Sequence, residues 1–236
     1  MEKRTAASIR ARARAEMIDE IKAAARRQIA TEGANLSLRA IARELEVVSS
    51  ALYRYFASRD ELLTALIIDA YDAIGEAGER ADAAVKDPAD LGGRWRAVAV
   101  AWREWALAHP AEYALIHGSP VPGYAAPADT VGPAARRFLV IGGILRDGQA
   151  AGRLDLARAA ALPPVSAALA AELATITAAL GLAASAELTA RALIAVTELF
   201  GALNFELFGQ LNNTIDERAD WYGLQVELMA ALVGIA

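Results

Sequence analysis

The chain has 236 residues, no cysteine, and 24 Lys+Arg against 29 Asp+Glu, a net charge of −5. That length suits one large or two modest domains with a sizeable core, and the lack of cysteine excludes disulfides, thiolate metal sites and cysteine nucleophiles. The acidic total argues against a generic nucleic-acid binder, but residues 1–60 carry 12 basic and 8 acidic side chains (+4) and the remainder 12 and 21 (−9), as suits a protein that touches phosphate at one end only.

The amino end is charged and lacks the apolar stretch of a secretory leader, so a reducing cytoplasm is the expected location. Residues 1–14 are basic and small, with Lys3, Arg4, Arg10, Arg12 and Arg14 among alanines. They read either as a frayed, solvated terminus or as an arm whose arginines reach phosphates or a minor groove. A first long helix is expected from about Ser8 or Arg12 to Thr31. Ile18, Ile21, Ala25 and Ile29 form its inner face, and Gly33 closes it.

The stretch Leu36–Leu63, LSLRAIARELEVVSSALYRYFASRDELL, packs two short helices and the start of a third into little space. Ser37 is placed to cap a helix whose apolar positions Leu38, Ile41, Ala42 and Leu45 follow the i, i+3, i+4, i+7 pattern. Leu36 and Ile41 have the spacing of a hydrophobic staple. After the break Glu46-Val47-Val48, a second helix is expected to bury Val48, Leu52 and Phe56 and to present Ser49, Ser50, Tyr53 and Arg54. Ser58 and Glu61 have capping-box spacing and open a third helix at Arg59. Spacing alone fits two ordinary helices of an all-α core equally well. It also fits a helix pair that seats a recognition helix in a DNA major groove.

The residue types add a resemblance. From Ile21 to Leu66 the chain resembles the DNA-binding domain of the TetR (tetracycline-repressor-like) family of bacterial transcriptional regulators. The motifs are AAxxxIATEG (Ala24 to Gly33), SLRAIAREL, and ALYRYF followed by SRDELL. The resemblance implies that Ser37 touches phosphate and Arg39 reaches a guanine edge. It implies that Ser49, Ser50, Ala51 and Tyr53 face the groove, and that Tyr55 and Arg59 hold the backbone. Two residues depart from the family pattern. Glu46 stands where glycine is usual, which costs roughly 1 kcal/mol if the backbone there needs positive φ. Val48 stands where a small polar residue is frequent and cannot cap, so Ser49 is expected to cap the helix in its place, starting it one residue later.

Beyond this segment, Leu62, Leu63, Leu66, Ile67, Ala70 and Ile74 line a long helix from Arg59 to about Ala84, softened by Gly75 and Gly78. Asp87-Pro88 and Gly92-Gly93 punctuate before a helix over Arg94–Ala108. Trp95, Val98, Trp102, Trp105 and His109 share one face of it. Such a stripe is either core or the wall of a cavity for a planar or lipophilic ligand. A helix over Ala111–His117 gives way to a Pro/Gly loop. The pattern Trp105, His109, Pro110, Tyr113, Gly118, Pro120, Pro122, Gly123, Tyr124 resembles the effector domain of one TetR subgroup, which implies a ligand-receiving body. Ligand candidates are Trp95, Trp102, Trp105, Tyr113, His117 and Phe138.

Further helices are expected over Gly132–Ala151, where Gly142-Gly143 allow a kink or close approach, and over Pro163–Leu180, an alanine-rich buried helix. The apolar run between Arg158 and Glu187 holds Glu172, Pro163-Pro164 and Gly181, and reads as buried helix, not a membrane span. Ser185–Gln210 is apolar on both sides. Thr214 and Glu217 have capping-box spacing before a last helix carrying Ile215, Tyr222, Val226, Met229 and Val233. Two apolar helices at the chain end, 185–210 and 214–234, suit a four-helix contact between two-fold mates.

The expectation is an all-α chain with a helix-turn-helix domain over 1–58 and an effector and dimerisation domain over 59–236. It binds a double-stranded operator as a homodimer, responds to a small hydrophobic effector, and involves no membrane, cofactor or metal. An enzyme is disfavoured. His109, Glu112 and His117 form a nominal HxxExxxxH, but His109 precedes a proline and no Asp or Cys completes a ligand set. GxSxG, GxGxxG and P-loop motifs are lacking. A pure protein-interaction module leaves ALYRYF and SRDELL unexplained.

Overall fold

The computed structural model describes residues 6–33, 35–157, 162–179 and 184–235. Among them there is no strand. The helices are α1 (Ala6–Glu32), α2 (Leu38–Glu44), α3 (Ser49–Leu52), α4 (Arg59–Ala84), α5 (Leu91–Ala108), α6 (Pro110–His117), α7 (Val131–Ala150), α8 (Ala167–Ala179), α9 (Ala186–Leu207) and α10 (Arg218–Leu232), with a 3-10 turn at Ala128–Thr130. The fold is all-α. Two compact units divide it, one of residues 1–70 with 109–130 and one of residues 71–108 with 131–236; α4 contributes to both.

In the first unit α1 buries Ile21, Ala24, Ala25 and Ile29. It ends where Gly33 takes φ 65° and donates its N–H to the Ile29 carbonyl at 2.9 Å, the left-handed C-terminal residue that glycine supplies at least cost. Lys22 and Arg26 both reach Asp69 of α4, at 2.8 and 2.6 Å. Buried Gln28 accepts the Ser37 N–H at 3.1 Å. These contacts fix the loop that launches α2. The HP…PVPGY segment belongs here too: α6 packs on α1, and the Tyr124 hydroxyl meets Thr64 Oγ1 of α4 at 2.8 Å. Tyr113 is fully buried and stacks on His117 with ring centroids 4.8 Å apart.

The second unit is tied together by arginines. Arg94 on α5 reaches Asp82 at 2.7 Å and Asp147 at 3.0 Å. Hydrogen bonds to these carboxylates hold its guanidinium well above the usual arginine range. Arg136 on α7 takes Asp72 and Glu79 of α4 at 2.7 and 2.6 Å. Arg103 on α5 pairs with Glu206 of α9, and Arg96 with Glu227 of α10. Trp95 and Trp102 are fully buried. The Trp95 indole N–H donates to the Val226 carbonyl at 3.0 Å, and the Tyr222 hydroxyl to the Ala99 carbonyl at 3.2 Å.

Several expectations need correction. Gly92-Gly93 do not precede α5; they form its first turn. Asp90 caps that turn by accepting the Gly93 N–H at 2.8 Å, and an N-cap aspartate overrides the glycine penalty. α10 does not open on a Thr214–Glu217 box. Thr214 bonds the Asn212 carbonyl at 3.4 Å, Glu217 makes no side-chain cap, and the helix begins at Arg218. The turn before it, with Asn213 at φ 59°, uses up the residues the box needed. α8 is not a buried helix: Leu173 and Thr177 are its buried residues, while Leu169 and Ile176 stand exposed. Leu173 and Thr177 form one narrow buried line, and the alanines around them are left mostly to solvent. The flanks of the apolar run, residues 158–161 and 180–183, lie outside the described residues. α9 is long and apolar enough by composition to cross a membrane, but half of that stretch is buried in this unit, and it carries buried Arg191 and Glu206. It is a core helix.

Gly75 and Gly78 serve close approach more than softness. A Cβ at Gly78 would lie 2.7 Å from Trp102 Nε1 and one at Gly75 2.8 Å from Arg136 Cβ. Because Trp102 cannot retreat from a full core, Gly78→Ala is expected to destabilise by about 2 kcal/mol, in the range of overpacking substitutions. Gly223→Ala, where a Cβ meets nothing within 4 Å, should gain up to about 1 kcal/mol. Urea midpoints of the two variants measure the contrast, and equal midpoints would refute the packing argument.

Candidate nucleic-acid interface and effector cleft

Ser37 Oγ accepts the Ala40 N–H at 3.3 Å, capping α2 as its spacing requires. Leu36, Leu38, Ile41 and Ala42 are buried beneath it, so the staple and the inner face hold α2 against α1. Arg39 and Arg43 remain exposed on the other side. The chain turns through Glu46 at φ 56°, a left-handed non-glycine residue. α3 follows as a single turn from Ser49. Val48 occupies the N-cap position without a side-chain bond. Two expectations fail here. The helix does not start one residue late, and Val48 is not buried but 71 % exposed, because the tight turn points it outward.

Leu52 and Phe56 anchor the segment in the core. Amides of Arg54, Tyr55 and Phe56 bond the carbonyls of Ala51, Leu52 and Leu52, continuing the coil for one more turn. Ser50, Tyr53 and Arg54 face solvent, Tyr53 with half its surface open; Ser49, Ala51 and Tyr55 are half-buried. α4 then opens with Ser58 Oγ accepting the Glu61 N–H at 3.1 Å, while the Glu61 carboxylate takes the Ala57 N–H at 2.5 Å. The carboxylate reaches one residue before the cap, a variant of the expected box. Arg59, in the first turn of α4, lies 3.3 Å from Asp60. The eight residues Ser37, Arg39, Ser49, Ser50, Ala51, Tyr53, Tyr55 and Arg59 therefore lie on α2 and its cap, on α3 and the turn after it, and at the start of α4, within one unit.

Reasoning from sequence missed the part α1 plays. Lys3 and Arg4 lie outside the described residues, whereas Arg10, Arg12 and Arg14 sit on α1, which begins at Ala6, close to the earlier of the two expected starts, Ser8. Arg12 pairs with Glu16 at 2.6 Å. Arg14 instead donates to the Arg54 carbonyl at 3.2 Å, with its guanidinium 5.1 Å from the Tyr55 ring centroid. The expected helix start at Ser8 or Arg12 already carried Arg12 and Arg14 on the helix; the contact of Arg14 with Arg54 and Tyr55 had no sequence signal.

Strain at Glu46 has a measurable consequence. Glu46→Gly should raise stability by about 0.5–1 kcal/mol, the left-handed penalty less the chain entropy of glycine. It should also tighten DNA binding at low salt by removing an exposed carboxylate. Urea unfolding and a DNA titration check both parts. A variant that is no more stable and binds no tighter would show the turn to be unstrained.

The ligand candidates separate. Trp95, Trp102, Trp105 and Phe138 belong to the second unit; Tyr113 and His117 belong to the first. Trp102 stacks on Phe200 with centroids 5.1 Å apart, and its buried indole N–H has no acceptor among the described residues. The Arg137 guanidinium lies about 5 Å from the rings of Tyr71, Phe138 and Phe200, at 5.1, 4.9 and 5.2 Å. Phe138 also lines a cleft of about 520 Å³, solvent-open space included, with Ile141, Leu145, Leu188, Leu193 and Val196 of α7 and α9. Those aliphatic residues carried no sequence signal that separates a cleft from a core. Among the described residues no three His, Cys, Asp or Glu side chains gather as metal ligands.

Two family profiles match the chain. One, described as bacterial regulatory proteins of the tetR family, covers residues 21–66; the other, the tetracyclin repressor-like C-terminal domain, covers residues 95–229. The HTH-type transcriptional regulators Rv1816 of Mycobacterium tuberculosis and Mb1846 of Mycobacterium bovis are each 40 % identical over 192 residues, 78 % of this chain and 78 % of theirs. The crystal structure of the regulatory protein SCO4313 superposes with TM-score 0.75 at 36 % identity, over 92 % of this chain and 97 % of its own. A tetR family regulator from Shewanella sp. PV-4 shares the fold, with TM-score 0.57 at 19 % identity over 89 % and 96 %. With one profile spanning more than half its length and its relatives transcriptional regulators and not enzymes, the chain belongs to the TetR family of DNA-binding transcription regulators.

Proposed function

We propose that this regulator is a ligand-responsive repressor. In its free form it binds a palindromic operator as a two-fold dimer, and a small hydrophobic effector releases it. Residues 1–58 act as the DNA-binding domain and residues 59–236 as the effector and dimerisation domain, of the subgroup with the W…HP…PVPGY pattern, working in the cytoplasm. The observation that carries the reading is the face formed by Ser50, Tyr53 and Arg54, which is open to solvent while Leu52 and Phe56 lock the segment beneath it. Serine and alanine make short contacts, so discrimination rests on Arg39, on tyrosine packing against thymine methyls and on duplex shape.

Exposed Ile194, Phe205 and Phe208 on α9, and Trp221, Leu224 and Leu228 on α10, support the dimer. Phe205 and Phe208 lie three apart at the end of α9, eleven residues (about three turns) after Ile194, and the α10 residues follow at steps of three and four, so each element carries apolar side chains turned away from its own core. For the effector, support comes from the apolar cleft beside Phe138. Arg136 and Arg94 tie α4 to α7 and α5, so a shift of α7 is passed to α4 and changes the spacing of the two recognition segments. Ligand and DNA affinities are then reciprocally coupled.

The test is a footprint on DNA upstream of the protein's own coding region, with and without small-molecule extracts. Two protected half-sites about one helical turn apart are expected, abolished by an active extract. Protection without two-fold symmetry, or protection that survives Tyr53→Ala, would overturn the reading.

A further inference from the structure

We infer that Arg14 of α1 is a phosphate-binding residue of the DNA interface, held in position by the recognition segment itself. The inference rests on the proposed DNA face and adds to it a contact from a different helix. Arg14 lies forty positions before Arg54 in sequence, yet its Nη1 donates to the Arg54 carbonyl at 3.2 Å. Its guanidinium sits 5.1 Å from the centroid of the Tyr55 ring. The carbonyl and the ring belong to the turn that carries exposed Tyr53 and Arg54.

A guanidinium has five N–H donors in a flat fork and is charged at every accessible pH. One donor is spent on the carbonyl and one face is directed at the ring. The side chain is nevertheless exposed, and it forms no ion pair among the described residues. Arg12, two residues earlier and on the opposite side of α1, is neutralised by Glu16 instead. Of the two arginines, the one beside the recognition segment keeps its charge uncompensated. Fixing a long, flexible side chain before DNA arrives lowers the entropy lost on contact. A planar fork pre-aimed along the edge of the Tyr53 face is the geometry that takes a phosphate through two oxygens.

The alternative is a brace that merely stiffens the turn, and charge separates the two. Arg14→Gln keeps an N–H donor for the Arg54 carbonyl but removes the cation; Arg14→Lys restores the cation without the fork. Binding is measured by fluorescence anisotropy between 50 and 200 mM KCl. The probe is a duplex enriched from a random pool by the wild-type protein. Each phosphate contact contributes about 0.9 to the slope of log K against log[salt]. With two heads on the duplex, Arg14→Gln should lower the slope by about 1.8 and Arg14→Lys should return most of it. Across that salt range the wild type then loses about twelve-fold more affinity than the Gln variant. A Gln variant whose binding line runs parallel to the wild type, shifted or not, overturns the phosphate role. A wild-type protein that enriches no duplex at all overturns the DNA face as well as Arg14.

Discussion

Replacing Phe205 and Leu228 together by glutamate is expected to leave a folded monomer that no longer holds operator DNA. Both side chains are more than half exposed, at 53 % and 54 %, so neither supports its own helix and the isolated chain has little to lose. In a two-fold contact each is buried twice. Burying a large apolar side chain is worth about 1.5–3 kcal/mol, and four such positions per dimer account for a large part of a micromolar to nanomolar association. Glutamate removes that gain and also brings carboxylates toward their symmetry mates without partners. Dimer affinity should fall by at least about a thousand-fold. The effect on DNA follows from linkage: two heads on one particle raise the local concentration of the second, and losing that costs about 10²- to 10⁴-fold in avidity. Light scattering during size exclusion reads the mass, circular dichroism confirms the retained helices, and anisotropy reads the DNA. A variant that remains dimeric would show that α9 and α10 do not form the contact.

The contrast between Leu52 and Val48 shows how far sequence patterning reaches. Leu52 and Phe56 are buried as the helical period requires, because a period needs only regular backbone to decide which side faces inward. Val48 shares that period on paper but precedes the first helical residue. The left-handed turn at Glu46 rotates it out to solvent. Caps behave likewise. Ser37 and Ser58 accept the amides their spacing assigns them, whereas Thr214 does not, because a competing turn closes first. Local chemistry is legible when nothing nearby offers the same backbone groups a better partner.

Long-range placement was the less legible half. The tryptophan stripe on α5 reads equally as core or cavity wall. Trp95 and Trp102 prove fully buried, and which side chains line the cleft depends on how α7 meets α9, a contact that no single helix encodes. The HP…PVPGY segment was expected in the effector body, yet it clusters with the first unit through α1 and the Thr64–Tyr124 hydrogen bond. The grip of Arg14 on Arg54 joins residues forty positions apart, and nothing in the pattern around either residue announces it.

Arg103→Ala should be among the most damaging single substitutions in the second unit. The ion pair joins α5 to α9 with two parallel hydrogen bonds, Nε to Oε2 at 2.8 Å and Nη2 to Oε1 at 2.5 Å. The Glu206 side chain is only 6 % exposed, against 20 % for Arg103. Hydrogen bonding to Glu206 raises the Arg103 guanidinium above its ordinary value. Such a pair is weak evidence for net stabilisation, because desolvating two charges consumes most of their attraction. Removing one partner is a different matter. Glu206 would remain among Leu199, Ala202 and Leu203, which are buried, as a carboxylate that must either attract water or unfold the contact. The expected loss is about 3 kcal/mol or more, on the order of 10 °C in melting temperature for a unit of this size. Replacing both residues by leucine removes the charges in balance and should recover most of that loss. Thermal unfolding of the two variants, followed by helical and tryptophan signals, separates the cases. If the double variant is as unstable as Arg103→Ala, the loss comes from packing of the long arginine stem and not from the stranded charge.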